Sequence, residues 1–262
     1  MTILDKIIAK KAERLVELKK TLSLSDVKKA AANTSSYPRD FALSVRRTGG
    51  QPIKLIAEIK HASPSEGVIR RNFNLPDIAQ TYEQCRVSAV SILTEEDFFN
   101  GRLPYIEAAK GILTCPILRK DFIFDEYQIY EARAFQADAV LLIAAALNYG
   151  QARGLMSIAA DLSLHVLFEV HNLKELEMAL RLDCSIIGIN NRDLTNMRID
   201  INTTLTLIKE IPRGKTVVSE SGIKSRDEVM MLQDAGVDAI LVGTAFMKSD
   251  DIAGMINMLL PS

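Results

Sequence analysis

The sequence predicts an α/β protein, a (β/α)8 (TIM) barrel with an N-terminal helical extension, and two observations carry that reading. Eight apolar, strand-length runs are each followed by a polar loop and a stretch of helical period. Their C-terminal ends lie near residues 60, 94, 120, 143, 169, 190, 220 and 243, with spacings from 21 (169 to 190) to 34 (60 to 94). Each spacing is about one strand-helix unit, given that a complete βαβ takes roughly 30 residues or more. No composition break divides them, so residues 1–262 read as one domain in which 1–50 form the extension or lid. An open doubly wound sheet is the alternative, but no G-x-G-x-x-G follows the first run, and eight even units close naturally.

In chain order, Leu4, Ile8, Ala12, Leu15 and Val16 recur at helical spacing with Lys, Glu and Arg between them, giving an amphipathic helix that needs a surface to cover. A short helix is expected near 26–32, and NTSSYPRD (33–40) reads as a loop. Strands are expected at 54–60, 88–94, 116–120, 138–144, 164–170, 185–190, 215–220 and 238–243. Helices between them are expected at 75–86, with Asp77 in the first turn, and at 126–135, 173–182 and 225–235. Ser225, with Glu228 three residues on, marks the cap of the last.

Composition narrows the function. Lys+Arg 32 against Asp+Glu 33 gives a net charge of -1, so no broad basic surface offers itself to nucleic acid or anionic lipid. Cys85, Cys115 and Cys184 are odd in number and widely spaced, which points to reduced thiols, with neither a disulfide framework nor a zinc site. The longest apolar run, 139–147, is too short for the roughly 18 residues of a membrane span. Charges recur through the first twenty residues, unlike a signal peptide, and a cytoplasmic setting is expected.

The first strand, KLIAEIK, is apolar on both faces except for Glu58 and Lys60, which share a face at its C-terminal end. Barrel active sites are built at that end. Lys120, Glu169, Asn190 and Glu220 with Ser221 terminate other strands in the same way. Lysines and carboxylates converging on one rim perturb one another's ionisation, as proton transfer near neutral pH requires. A solvated loop group is the bland alternative for any one of them, and a structural ion pair is the bland alternative for Glu58 and Lys60. Gly222 and Gly243-Thr244 place small residues and free backbone N–H groups after strands seven and eight, where barrels commonly hold a phosphate; Ser63 adds a hydroxyl. Phe98, Phe99 and Phe122 are loop anchors or the wall of a pocket for a flat ring. Glu169-x-His171 raises the question of a metal, but spacing places no third ligand, and His165 reads as a core residue of its strand.

Long ordered blocks resemble the indole-3-glycerol phosphate synthase family: AEIKHASPSEGVI, SILTEEDFFNG, PILRKDFIFDEYQIYEA, LFEVHNLKEL, IIGINNRDLTNMRID, VVSESGI and DAILVGTAFM. The resemblance implies the barrel with its helical extension, and ring closure of 1-(2-carboxyphenylamino)-1-deoxyribulose 5-phosphate with loss of carbon dioxide and water, without metal or organic cofactor. It implies Lys120 as the general acid on the ketose carbonyl and Lys60 with Glu169 as the groups moving the protons of dehydration. Glu58 would hold Lys60, Asn190 and Glu220 would orient substrate, and Ser221 belongs to the same catalytic set. Ser63, Gly222, Gly243 and Thr244 correspond to phosphate contacts, Arg192 to a substrate-facing arginine, and Phe99 and Phe122 to the aromatic pocket. His61 and Glu66 stand where cations are common in the family, lowering positive charge at the phosphate entrance, and Thr244 stands where Ser is common. The expected partner is the small phosphorylated substrate, with no nucleic acid, no membrane and a monomeric state. Two rivals share the barrel. A Schiff-base aldolase using Lys120 or Lys60 needs no aromatic pocket. A catalytically silent, phosphate-metabolite-binding barrel predicts an eroded rim, whereas every expected acid and base is present.

Overall fold

A computed structural model describes residues 2–195 and 197–260. Eight parallel strands close into a barrel in sequential order: Lys54–Ile59, Ala89–Leu93, Ile117–Lys120, Ala139–Ile143, His165–Val170, Ile186–Asn190, Thr216–Glu220 and Ala239–Val242, the last pairing with the first. The expected runs are one or two residues longer, mostly at the start, where residues such as Ser88, Asp138, Ser185 and Asp238 precede the ladder. Helices Leu75–Gln84, Glu126–Ala134, Leu173–Arg181 and Arg226–Asp234 fall where the periodicity puts them, and Ser225 makes the cap, its Oγ accepting from Glu228 N.

Strand parity divides the core in two. Leu55, Ala57, Ile59, Val90, Ile92, Phe168 and Val170 point outward under the helices. Ile56, Ala89, Leu118, Ala139, Leu167, Ile186, Val218 and Ala239 point inward and fill the barrel. Two residues on from Ile56, Leu118, Leu167 and Val218 the same faces carry Glu58, Lys120, Glu169 and Glu220, and four on from Ile186, past Gly188, Asn190, so polar groups take over where the apolar fill ends.

Three helices precede the first strand. The first, Ile3–Thr21, starts with a Thr2–Asp5 capping box and buries Leu4, Ile7 and Leu15. The second, Leu24–Ala32, packs on Glu126–Ala134, with Leu15, Val27 and Tyr127 forming a small separate cluster. The third, Phe41–Val45, is not evident in the sequence; it buries Phe41 and Val45 completely and plugs the N-terminal end of the barrel. Five residues are too few to show a helical period. His165 corrects the reading of a core histidine: it begins its strand at this end, partly exposed, with Nε2 3.4 Å from Asp40 Oδ1. Among the described residues no helix is long and apolar enough to cross a membrane, and the three cysteines are free.

Candidate active site

At the C-terminal end the inward-facing side chains surround a cavity of about 420 Å³. Glu58, Lys60, Ser63, Phe99, Lys120, Phe122, Glu169, Asn190, Arg192, Glu220, Ser221, Gly222, Gly243 and Thr244 all line it, so the structure brings these candidates into one place. Phe98 stands outside it. Leu4, from the apolar stripe of the first helix, also lines it, as do residues the sequence reading passed over: Ile7 of the same helix, Leu194, Met197 and Ile199 of the loop after strand six, and Lys224 and Lys248. Nothing local marks these, because a loop apolar residue and a surface lysine look alike until the fold aims them.

Lys120 is the centre. Its Nζ lies 3.2 Å from Glu220 Oε2, 3.7 Å from Glu58 Oε2 and 3.8 Å from Glu169 Oε2. Register explains the convergence: Asn190 pairs with Glu220, Glu169 with Gly188, and Glu58 with Ser91 across adjacent strands. Gly188 also makes room, since a Cβ there would collide with the Glu220 carboxylate. Burial opposes the Lys120 charge, yet Glu220, Glu58 and Glu169 more than offset it and hold the ammonium far above its ordinary pKa. Lys60 sits 2.6 Å from Glu58 Oε1. Despite burial, Lys60 and Lys120 keep Glu58 below its usual range.

The other two acids part company. Burial pushes Glu220 up to about 8, against the pull of Lys120 and with help from the Glu169 charge. Neither of its oxygens accepts a well-aligned hydrogen bond, so the 3.2 Å approach of Lys120 Nζ falls outside hydrogen-bond geometry. Glu169 goes the other way, to about 2; burial raises it, but His171, Lys120 and Asn190 lower it further. One buried acid is therefore protonated near neutral pH and its neighbour ionised, the separation that acid-base catalysis needs.

Around this core lie the contacts a substrate would meet. Ser221 and Gly222 both have left-handed backbone (φ 68 and 83), turning successive N–H groups together in a loop that suits an anion; a side chain at 222 would strike Ile199. Gly243 opens the short helix Thr244–Lys248 beside it. The Ser63 and Ser65 hydroxyls stand 3.4 Å apart. Phe99 and Phe122 form a tilted pair with ring centroids 5.9 Å apart, an apolar wall facing the charged one. Asn190 Oδ1 accepts from Arg192 N at 3.0 Å, bracing the loop that carries the arginine. The expectation for His61 changes: its ring stacks on Phe73 at 4.8 Å and does not line the cavity. Glu66 does line it, and pairs with Lys248 at 2.6 Å.

The family model described as indole-3-glycerol phosphate synthase matches residues 4–259. A protein of that name from Acidithiobacillus ferrooxidans is 50% identical over 249 residues, covering 94% of this chain and 94% of its own. One of the same name from Caldanaerobacter subterraneus subsp. tengcongensis is 47% identical over 249 residues, covering 95% and 94%. Among solved structures, 3-hexulose-6-phosphate synthase from Salmonella typhimurium shares the fold, with TM-score 0.63 and 14% identity over 79% of this chain and 96% of that one.

Proposed function

Because the chain belongs to the indole-3-glycerol phosphate synthase family, we propose that its rim lysines and carboxylates close the indole ring of 1-(2-carboxyphenylamino)-1-deoxyribulose 5-phosphate. As an indole-3-glycerol phosphate synthase it is a carboxy-lyase of tryptophan biosynthesis. The observation that carries the residue assignment is Lys120, one ammonium facing three carboxylates inside a cavity with an aromatic wall and an anion-turned loop.

The phosphate lies against Ser221-Gly222 and Gly243-Thr244, with Ser63 opposite and Lys224 and Lys248 at the mouth. The anthranilate ring packs on Phe99 and Phe122, leaving the ketose carbonyl at Lys120. The ring carbon bearing the carboxylate attacks the carbonyl carbon, and Lys120 gives its proton to the oxygen. A tightly held ammonium proton still passes to an alkoxide, which is more basic than any amine, and the charge stabilises that oxygen as it develops. Loss of carbon dioxide restores the aromatic ring. Glu169, held ionised, then takes the proton from the carbon next to nitrogen, while Lys60, fixed by Glu58, protonates the departing hydroxyl as water. Asn190, Arg192 and the protonated Glu220 orient the substrate.

The test is to incubate the folded protein, with EDTA present, with the carboxyphenylamino-deoxyribulose phosphate and follow indole fluorescence. Product is expected from the wild type, and Lys120→Ala is expected to lose about 10²-fold to 10⁴-fold in rate. A folded wild type that binds the phosphorylated ligand and makes no product overturns the proposal in favour of a silent barrel.

A further inference from the structure

His171 follows the fifth strand on the same face as Glu169, yet it does not line the cavity and the proposed chemistry makes no use of it. Its side chain is nonetheless only 8% exposed and lies between two carboxylates. Nε2 is 3.2 Å from Glu169 Oε1, a charge contact outside hydrogen-bond geometry on the side of that carboxylate turned away from Lys120, and Nδ1–H donates to Glu175 Oε2 at 2.9 Å. Glu175 is itself pinned. The backbone N–H of His171 donates to its Oε2 at 2.8 Å and Asn172 Nδ2 donates to its Oε1 at 2.6 Å, while Asn172 Oδ1 caps the helix by accepting from Glu175 N. The first turn of helix Leu173–Arg181 is thus a rigid mount that aims an imidazole at the back of Glu169.

We propose that His171 is a positioning residue, held as a cation between Glu169 and Glu175 just behind the site, and that it makes Glu169, and not Glu220, the carboxylate left ionised to accept a proton. The inference rests on the role given to Glu169 above. The charge balance of the cavity supports it. Glu58 has Lys60 at 2.6 Å besides Lys120 at 3.7 Å, whereas among the described residues Glu169 and Glu220 have Lys120 as their one lysine, and Glu220 is the nearer of the two at 3.2 Å against 3.8 Å. On Lys120 alone, Glu220 would be the acid kept ionised. A second cation facing Glu169 and not Glu220 reverses that order. The cations facing Glu169 are Lys120 and His171, with Asn190 adding a neutral hydrogen bond and the Glu58 and Glu220 carboxyls opposing across Lys120; the groups facing His171 are Glu169 and Glu175. Burial works against a charged imidazole, but the two carboxylates raise its pKa to about 10, so it stays a cation through the neutral range. It also remains one after Lys120 has given up its proton, when Glu169 has lost its other counter-charge and still has a proton to accept.

Two measurements on the whole enzyme decide the matter. Nitrogen NMR of the wild type reads the ring directly: both ring nitrogens of His171 protonated at pH 8 is expected, and a neutral ring at pH 8 overturns the proposal whether or not any variant folds. The pH profile of His171→Gln is the second. With the cation gone the shared proton moves toward Glu169, so kcat at pH 6.5 falls by about tenfold or more, the population change of one pKa unit. The loss narrows as pH rises through 9, and KM stays within about threefold, because nothing is removed from the cavity lining. A loss of the same size at every pH, or a lower Tm with wild-type kinetics, makes His171 a structural mount and overturns the proposal. A wild type that yields no product sinks the catalytic reading instead, and the NMR result still decides the charge on His171.

Discussion

At the N-terminal end of the barrel, Asp138 is fully buried and accepts from Ile117 N at 2.7 Å, Arg39 N at 2.6 Å and Lys110 Nζ. Asp238 accepts from Val217 N at 2.9 Å and Arg47 N at 3.0 Å, tying strands seven and eight to the segment beyond the plug helix. At the other end, Glu58, Glu169 and Glu220 are just as buried, yet they crowd one ammonium, and Glu220 has no aligned donor. The residue types match; the accounting of hydrogen bonds does not. A carboxylate whose oxygens are all satisfied by backbone and side-chain donors has nothing to gain from a change of protonation and serves as scaffold. Carboxylates that compete for one cation lie close to a redistribution of protons, which a substrate can trigger.

The comparison breaks if the two ends respond alike to losing a partner. Lys120→Ala is expected to remove activity by the margin given above while the barrel still unfolds in one cooperative step. Asp138→Ala is expected to do the reverse. Removing one member of a buried pair costs about 3–5 kcal/mol, and Ile117 N and Lys110 are left without their acceptor. Denaturant midpoints together with kcat per folded molecule make the check; a catalytic defect in folded Asp138→Ala would mean the scaffold end reaches into the chemistry.

Glu220 sharpens the contrast through pH. Its folded pKa lies near 8, above the ordinary 4.5, so the folded state keeps a proton that the unfolded chain has released. The contribution is full below about pH 4.5, where both states are protonated, and is lost as pH rises toward 8. Glu220→Gln is expected to flatten the fall in stability across that window, measured as Tm between pH 5 and 9. An unchanged slope would mean that Glu220 is ionised in the folded state and that the proton sits elsewhere.

The same difference explains what the sequence made legible. Eight apolar runs announce eight strands, and a charge that ends such a run is visible as an interruption, which is how Glu58, Lys120, Glu169 and Glu220 stand out. Phe41–Val45 and the lining residues Leu194, Met197 and Ile199 carry no period, and only closure of the barrel tells a plug from a loop. His171 is visible as Glu169-x-His171, a spacing weighed for a metal and set aside because no third ligand goes with it. The missing signal lay four residues on, in Glu175, whose spacing from His171 matters only because a helix begins between them. The acids of the scaffold end were invisible for a related reason. Asp138 and Asp238 open the expected runs 138–144 and 238–243, where a polar residue reads as a strand boundary, and their worth comes from backbone donors that sequence does not display.

The smallest expected effect concerns how the first helix is held over the active end. Arg14 reaches Asp97 through Nε and Nη2 (2.5 and 2.7 Å) and Glu96 through Nη1 (2.6 Å), an arrangement that looks like a clasp. Its side chain is 49% exposed and that of Glu96 46%, so water and salt screen the attraction and ordering three long side chains offsets part of it. Burial of Leu4, Ile7 and Leu15 under the same helix contributes about 1.5–3 kcal/mol for each side chain. Arg14→Ala should therefore cost less than about 1 kcal/mol, with the difference from wild type shrinking further as salt is added to an unfolding titration. A loss above about 2 kcal/mol that persists in salt would exceed what an exposed pair supplies, and would place the helix among the elements held, like the acids of the scaffold end, by polar contacts and not by the apolar face it lays across the cavity.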